Sequence, residues 1–595
     1  MNKLIASLLS AMVIVACLQT RQPGFEQNAQ SNLIQRLDTL SAILALTDAA
    51  TDAAKLQTIF IQSRACYKQI EPFVEYYYQG LSRRINGPAL PELKTDDHMV
   101  SDASGFQVLE ELIYSDSIDV DELRKQVKIL ITDLLFVKNS IRDMPIQDHH
   151  LYELLQHQII RIATLGITGF DSPVSFQSVH EAGHALTGIA AWYQLYKQTL
   201  KAVPAAEVMT CLDRAGAYTR SNPEFDTFNR LEFIREYLMP LSIALEHDFL
   251  QVIDASPNLK KNKPFSGTLA DLMQGKLLNP DAFTPFAASA TTPEKIALGK
   301  ALFHDASLSR SNRMKCASCH DPKLAFTDAR TTSLGSVHSN TIRRNAPTVL
   351  YAGFQKTYFY DARSQDLENQ IQRVMENPDE FNLPPADLKM KIEANSALAE
   401  QFKRAYPDKK EITAFEIRNA IAAYVRSLMP FTSKTDRYFQ GTATLTARER
   451  NGFNLFAGKA KCATCHFIPV FNGTIPPWFN NSESEVIGVP EKKVWANAEV
   501  DDDPGRFTIN PLEQLRYSFK TPTVRNIEKT APYMHNGVYH TMEEVVRFYK
   551  LGGGNGIGMN LAYQTLPFDH LQLTDKEAED LVLFLKTLTD TYENR

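Results

Sequence analysis

The sequence predicts an all-α protein in which a helical front half precedes two small helical units built alike. Three observations predict it. Apolar residues recur at helical spacing through most of residues 18–285. Two C-x-x-C-H stretches, Cys316 to His320 and Cys462 to His466, stand in the back half. The segments around them repeat, each unit closing on a helix that opens with Thr-x-x-Glu. The chain has 595 residues, 44% apolar and 22% charged, which is too long for one core and matches three or four domains. Lys plus Arg number 63 against 69 Asp plus Glu, a net charge of -6, so no basic surplus marks it for nucleic acid.

Taken in order, the first element is an address. Lys3 precedes an apolar run, 4–16, too short for the ~20 residues of a membrane span but suited to an export signal. Ile14-Val15-Ala16-Cys17 resembles a bacterial lipobox, which makes residues 1–17 a lipoprotein signal peptide and Cys17 the lipidated first residue of the mature chain. Leu18, where an aspartate would retain the protein at the inner membrane, points to a lipid anchor at the periplasmic face of the outer membrane or the cell surface of a Gram-negative bacterium.

Residues 18–285 are expected to form one helical domain, with helices over 34–46, 53–78, 120–140, 149–165, 178–196 and 228–252 burying one another's stripes. Pro264, Gly267, Gly275, Pro280 and Pro285 mark 262–285 as the connection onward. His180-Glu181-Ala182-Gly183-His184 satisfies the H-E-x-x-H zinc pattern, but no third ligand stands out, and a packing helix is the better reading. Cys66 and Cys211 are left either to pair or to be buried separately.

The C-x-x-C-H stretches are the attachment signature of c-type heme: two thiols add to the vinyl groups of one porphyrin and the adjacent histidine reaches its iron. Cys316, Cys319 and His320 would hold one heme c, and Cys462, Cys465 and His466 a second, both covalent. Gly299-Lys300-Ala301-Leu302-Phe303 before the first motif matches Gly452-Phe453-Asn454-Leu455-Phe456 before the second, which makes the two units a duplication. Thr413/Glu416, Thr446/Glu449 and Thr574/Glu577 are placed as capping boxes. The units are cytochrome c-like domains over 286–430 and 431–595.

The back half resembles the bacterial diheme cytochrome c peroxidase family through Arg344-Asn345-Ala346-Pro347-Thr348, Phe359-Tyr360-Asp361-Ala362-Arg363, Phe519 to Asn526 and Thr530-Ala531-Pro532-Tyr533-Met534-His535-Asn536-Gly537. The resemblance implies a peroxidatic heme in the first unit and an electron-transferring heme in the second, with His320 and His466 as proximal ligands. It assigns Glu380 as the acid–base group of the peroxide pocket and Gln370 as its neighbour. It also implies one calcium ion held by Asn345, Thr530 and Pro532, whose oxygens suit a hard cation.

Three positions depart from the better-known branch. Tyr549 stands fourteen residues beyond His535, where a methionine is the second ligand of the electron-transferring heme. Tyrosine there resembles the maturase that completes the tryptophan tryptophylquinone cofactor of methylamine dehydrogenase, and phenolate oxygen favours ferric and higher-valent iron. The plainer alternative is an aromatic on the buried stripe Met542, Val545, Val546 and Tyr549. Tyr360 replaces the tryptophan found between the hemes, and His338 lies one residue away from the position of a removable distal ligand. The expected activity is reduction of hydrogen peroxide with electrons from a small redox protein. The alternatives are a maturase-like oxidase acting on a partner protein and a non-enzymatic electron carrier or iron-acquisition module. Homodimerisation stays open.

The front half is similar to the imelysin-like family of exported iron-uptake domains around Cys66 to Phe73, Asn86-Gly87-Pro88 and Gly105-Phe106-Gln107-Val108-Leu109-Glu110. Gln107 replaces that family's histidine, so a scaffold or docking role is expected in place of metal binding.

Overall fold

A computed structural model describes residues 24–591, apart from 51, 95–98, 258, 260–261, 337–340 and 568. Cys17, with all of residues 1–17 expected to form the signal peptide, and His338 lie outside the described residues. The front half is built from α1 (Phe25–Ala45), α2 (Ala53–Tyr77), α3 (Gln79–Asn86), α4 (Phe106–Ile113), α5 (Val120–Ser140), α6 (Asp148–Thr164), α7 (Ser178–Thr199) and α8 (Ala206–Ser221). A ninth helix, α9, starts at Arg230–Glu232, runs through a π-helical stretch, Phe233–Leu238, and continues as Met239–Asp248. Each long helix buries one stripe: in α1 it is Leu33, Leu37, Leu40 and Leu44. Asp52 and Asp119 cap α2 and α5 by accepting from backbone N–H groups of the first turn. The six predicted helices are all present, and α3, α4 and α8 were not predicted. Small two-stranded antiparallel pairs, β1 (Glu92–Lys94) with β2 (Met99–Ser101) and β3 (Ser484–Val486) with β4 (Ser518–Lys520), modify the all-α expectation only locally.

Charge is buried at the centre of the front half. Arg64 and Lys68 of α2 meet Glu181 of α7 and Asp171 at 2.6 Å each, and Arg161 of α6 meets Asp171 at 2.9 Å. Glu71 and Asn86 complete the network. Buried ions cost several kcal/mol each unless they are fully paired, so this lattice fixes how α2, α6 and α7 sit together. The cationic neighbours hold Asp171 well below the usual carboxylate range despite its burial. Glu181 is therefore committed to Arg64, while His180 on the same helix is exposed. The H-E-x-x-H helix buries Val179, Ala182, Ala185, Leu186 and Ile189 against its neighbours, and among the described residues no cluster of His, Cys, Asp and Glu is placed to hold a metal ion. Cys66 and Cys211 are both free and half-buried.

The back half repeats one pattern. Helix α10 (Pro293–Phe303) leads into the first motif and crosses α12 (Ala414–Arg426); α11 (Leu367–Glu376) lies between them in sequence. Helix α13 (Ala447–Phe456) leads into the second motif and crosses α15 (Asp575–Lys586), with α14 (Met542–Lys550) between. The expected capping boxes form at Thr413, Thr446 and Thr574. A Cβ at Gly299 would run into the carbonyl oxygen of Ala420, and one at Gly452 into that of Asp580. The two helix crossings thus close through matching glycines.

The two units are joined by charge and backbone. Across the junction Arg344 donates to both oxygens of Asp503 (2.7 and 2.9 Å) while also holding Asp361 of its own unit (2.7 Å), and the Lys520 amide donates to the Tyr360 carbonyl at 2.7 Å. The front half packs on the second unit: the Phe170 and Phe467 rings meet at 5.8 Å, Asn454 donates to Asn229 at 2.9 Å, and the Trp478 indole donates to the Glu75 carbonyl at 3.1 Å. Among the described residues no helix is long and apolar enough to cross a membrane.

Gly452→Ala is expected to destabilise the protein by about 1–3 kcal/mol, because overpacking against a backbone carbonyl outweighs alanine's better helix propensity. A thermal-unfolding midpoint at or above the parent's would refute the close crossing.

Candidate active site

Both C-x-x-C-H motifs open onto one cavity of about 1240 Å³ at the junction of the two units. That exceeds the ~300–1,000 Å³ of an ordinary small-molecule pocket and suits two macrocycles. The motifs fold alike. Cys316–Ser318 and Cys462–Thr464 each form one 3₁₀ turn, and the amides of His320 and His466 donate back to the carbonyls of Cys316 (3.0 Å) and Cys462 (2.9 Å). The four thiols remain unpaired, and burial pushes all of them up.

The histidines are set up as ligands. His320 Nδ1 lies 3.1 Å from the carbonyl of Phe326, and His466 Nδ1 lies 3.0 Å from that of Pro522. A backbone carbonyl at Nδ1 fixes the ring and leaves Nε2 for iron, as expected of a metal-bound imidazole. Burial lowers both imidazoles, His466 to about 4, which favours the neutral form that ligation requires. Thiols, imidazoles and an apolar cavity wall including Phe303, Phe456, Ile421 and Leu581 fit covalently held c-type heme.

Around the first motif stand Glu380 and Gln370, brought to the cavity by α11 and the turn after it. Asp366 caps α11, accepting from the Asn369 amide at 2.7 Å, and the Glu380 amide donates to the Asn377 carbonyl at 3.1 Å. Burial raises the Glu380 carboxyl to about 7, against smaller opposing effects of Asn377 and the Arg363 guanidinium. Tyr360 lines the same cavity and its hydroxyl donates to the Asn345 side-chain oxygen. Burial pushes that phenol upward.

Asn345 is also brought to Pro532, whose carbonyl accepts from its amide nitrogen at 3.0 Å, and Thr530 stands two residues earlier in the same cavity wall. His535 is buried, stacks on Phe519 at 3.9 Å and lies 3.0 Å from Asp501, which it helps hold well below the usual carboxylate range. Its carbonyl accepts from the Asn345 amide at 2.9 Å, so it braces the two units.

Tyr549 projects from the last turn of α14 into the cavity beside Cys462 and Cys465. Burial, then the negative charge those thiols and Glu485 can carry, disfavours ionising its phenol. Met542, Val545 and Val546 line the same wall, so the predicted stripe is the inner wall of the second site.

Three lining residues carry chemistry without having been singled out from sequence. Burial raises Glu485 of β3 to about 7 and lowers Lys520 of β4 to about 8, and Lys520 donates to Gln355 at 2.9 Å. Arg363 is tied to Asp361 at 2.7 Å and packs on Phe359. Lys520 and Arg363 fall inside family-like stretches, which gave a signal; Glu485 sits in a segment with none.

The family profile described as Di-haem cytochrome c peroxidase matches residues 293–444. The methylamine utilization protein MauG of Methylorubrum extorquens is 32% identical over 318 residues, covering 53% of this chain and 84% of that protein. The chain belongs to the diheme cytochrome c peroxidase family. The cytochrome c551 peroxidase of Nitrosomonas europaea is 32% identical over 304 residues, covering 50% of this chain and 82% of its own. A solved MauG-like protein associated with microbial copper homeostasis has 30% identity and a TM-score of 0.45, covering 51% of this chain and 92% of that one. Family membership implies the two c-type hemes that the motifs require.

Changing Cys316 and Cys319 together to serine is expected to halve the covalent heme measured as pyridine hemochrome, leaving the second site loaded. Unchanged covalent heme would exclude the first attachment site.

Proposed function

We propose that this chain is a c-type diheme peroxidase whose first unit reduces peroxide and whose second unit feeds it electrons. Peroxide reduction is the chemistry of the family, and the overall change is H2O2 + 2H+ + 2e− → 2H2O. The observation that carries the assignment of the first unit is Glu380, a carboxyl raised to about 7 in the cavity of the 316–320 motif. Heme held by these motifs would supply redox-active iron and the electrons for O–O cleavage.

The chain's own residues handle the proton. Glu380, ionised, accepts a proton from one oxygen of peroxide and delivers it to the departing oxygen, a transfer favoured when the carboxyl titrates near ambient pH. Gln370 holds the peroxide by hydrogen bonding, and Arg363 offsets the charge on Glu380. His320 and His466 are assigned as proximal ligands. Tyr549 is assigned as the second ligand of the 462–466 site, supported by its place on that cavity wall beside Cys462 and Cys465.

Tyr549 also favours a second reading, a maturase-like enzyme that oxidises residues of a protein partner, because a phenolate ligand stabilises oxidised iron. Calcium is the weaker assignment, given the direct Asn345–Pro532 bond. The N-terminal segment supports export and a lipid anchor at Cys17, in keeping with the export that c-type heme attachment demands. The front half is assigned as an imelysin-like scaffold: Gln107 donates to the carbonyls of Asn86 and Phe170, a structural use of the position where that family has its histidine.

The sign of the pH dependence follows from Glu380. Its ionised form is the active one and its folded value is about 7, so the second-order rate with peroxide should rise with pH through about 7 and then level off. Glu380→Gln should remove that inflection and lower the rate ~10²–10⁴-fold. A variant with the parent's rate and pH profile would sink the assignment. For the second site, Tyr549→Met should abolish phenolate bands in the resonance Raman spectrum and raise that heme's midpoint potential. Identical spectra for parent and variant would rule out Tyr549 as a ligand.

A further inference from the structure

The seam between the front half and the second heme unit holds aromatic residues that the peroxide chemistry does not use. Tyr76, near the end of α2, meets the Trp478 ring at 5.4 Å, and His157 of α6 packs edge-on to Trp478 at 4.5 Å. Inward, Trp478 adjoins Phe479, whose ring meets Phe354 at 5.0 Å, and Ala352 and Gln355, flanking Phe354, line the heme cavity. Outward, Tyr76 meets Tyr77 at 4.9 Å, and the Tyr77 hydroxyl donates to the Pro145 carbonyl at an exposed edge. Aromatic contacts thus step from beside the cavity wall, across the sequence neighbours Phe479 and Trp478, to the surface of the front half.

Oxidisable rings close together are common in protein seams, and the proton is what sets this one apart. A phenol yields an electron readily only when its proton leaves too. The Tyr76 hydroxyl donates to Glu153 at 2.6 Å, a buried carboxylate that Lys263 also contacts. Tyr360, nearer the cavity, donates instead to the neutral amide of Asn345 and has no such base. His157 is held neutral by burial, at about 4, so it adds no positive charge beside Trp478. The front half also packs against both flanks of the second motif. Arg230 lies against Gly458, Phe176 lies under the Lys461 ammonium at 5.2 Å, and Phe170 meets Phe467. A protein donor approaching from that side meets the front half first.

We propose that Trp478, Tyr76 and Glu153 form a proton-coupled electron relay, through which a one-electron reductant docked on the front half supplies the heme units. The inference rests on the peroxidase reading. In one step Tyr76 gives an electron inward by way of Trp478 and its phenolic proton to Glu153, leaving a neutral tyrosyl radical and a protonated carboxyl. One electron from the reductant, arriving at the Tyr77 side, and the proton returned by Glu153 restore the phenol. Two such cycles provide the two electrons that one peroxide consumes, and solvent provides the two protons that go into water.

The test is freeze-quench EPR of the holoprotein after one equivalent of hydrogen peroxide, without reductant, with the Soret band followed in parallel. The expected result is a tyrosyl radical that narrows on ring deuteration of tyrosine and is absent in Tyr76→Phe. Trp478→Phe should slow its formation at least tenfold. Glu153→Gln, which keeps the side-chain shape, should slow it and remove the solvent deuterium isotope effect seen in the parent. Tyr76→Phe keeps the ring, and its near-UV circular dichroism should match the parent's. A Soret band that responds normally to peroxide together with the same radical in Tyr76→Phe and the parent would overturn the relay alone. A Soret band unresponsive to peroxide in the parent would overturn the peroxidase reading beneath it.

Discussion

The back half is organised around a volume that its side chains do not fill. About 1240 Å³ lies between two small helical units, and the groups that line it include two thiol pairs, the two imidazoles that follow them and an apolar wall. Close packing is the rule in protein interiors, so a space of this size belongs to bound groups that act as core. The rest follows from holding those groups at fixed positions. Each C-x-x-C-H turn must present thiols and imidazole together, which a single 3₁₀ turn does. Each turn must in turn be carried by a helix pair close enough to be rigid, which Gly299 and Gly452 allow.

The same low-polarity surroundings set the acid–base chemistry. Burial moves Glu380 and Glu485 up to about 7, and Lys520 down to about 8, by one mechanism: a charge in that wall loses hydration. The effect is answered differently on the two sides of the chain. In the front half Asp171 is equally enclosed yet stays ionised, because Arg64, Lys68 and Arg161 converge on it. One region uses buried charge to lock helices in place; the other holds a carboxyl near pH 7, as the proposed proton transfer requires.

The front half bears on function through its contacts. It packs along the second unit, with Trp478 and Tyr76 as the aromatic contact and Asn229, Phe170 and Arg230 beside the second motif. That arrangement makes the two units unequal although their folds repeat. The first motif's surroundings carry Glu380 and Gln370; the second motif's carry Tyr549 and the front half.

Much of this was legible in the chain itself. Periodicity located the long helices, since a buried stripe must recur every three to four residues, and Thr-x-x-Glu located the three capping boxes because the cap is a local hydrogen-bond pattern. The C-x-x-C-H sequences marked the residues proposed to attach heme, since that chemistry needs only neighbours in sequence. Helices α3, α4 and α8 were missed, being short or weakly patterned and stabilised by packing. Family-like stretches singled out Glu380, Tyr549 and Asn345, but their surroundings come from distant segments. Only the tertiary structure decided that Glu380 is desolvated, that Glu181 is taken by Arg64, that Asn345 bonds Pro532, and that Tyr76 meets Trp478 across some four hundred residues of chain. The physical reason is the same throughout. Covalent spacing and helix capping are local, whereas burial, ion pairing and ring contact depend on what the rest of the chain brings alongside.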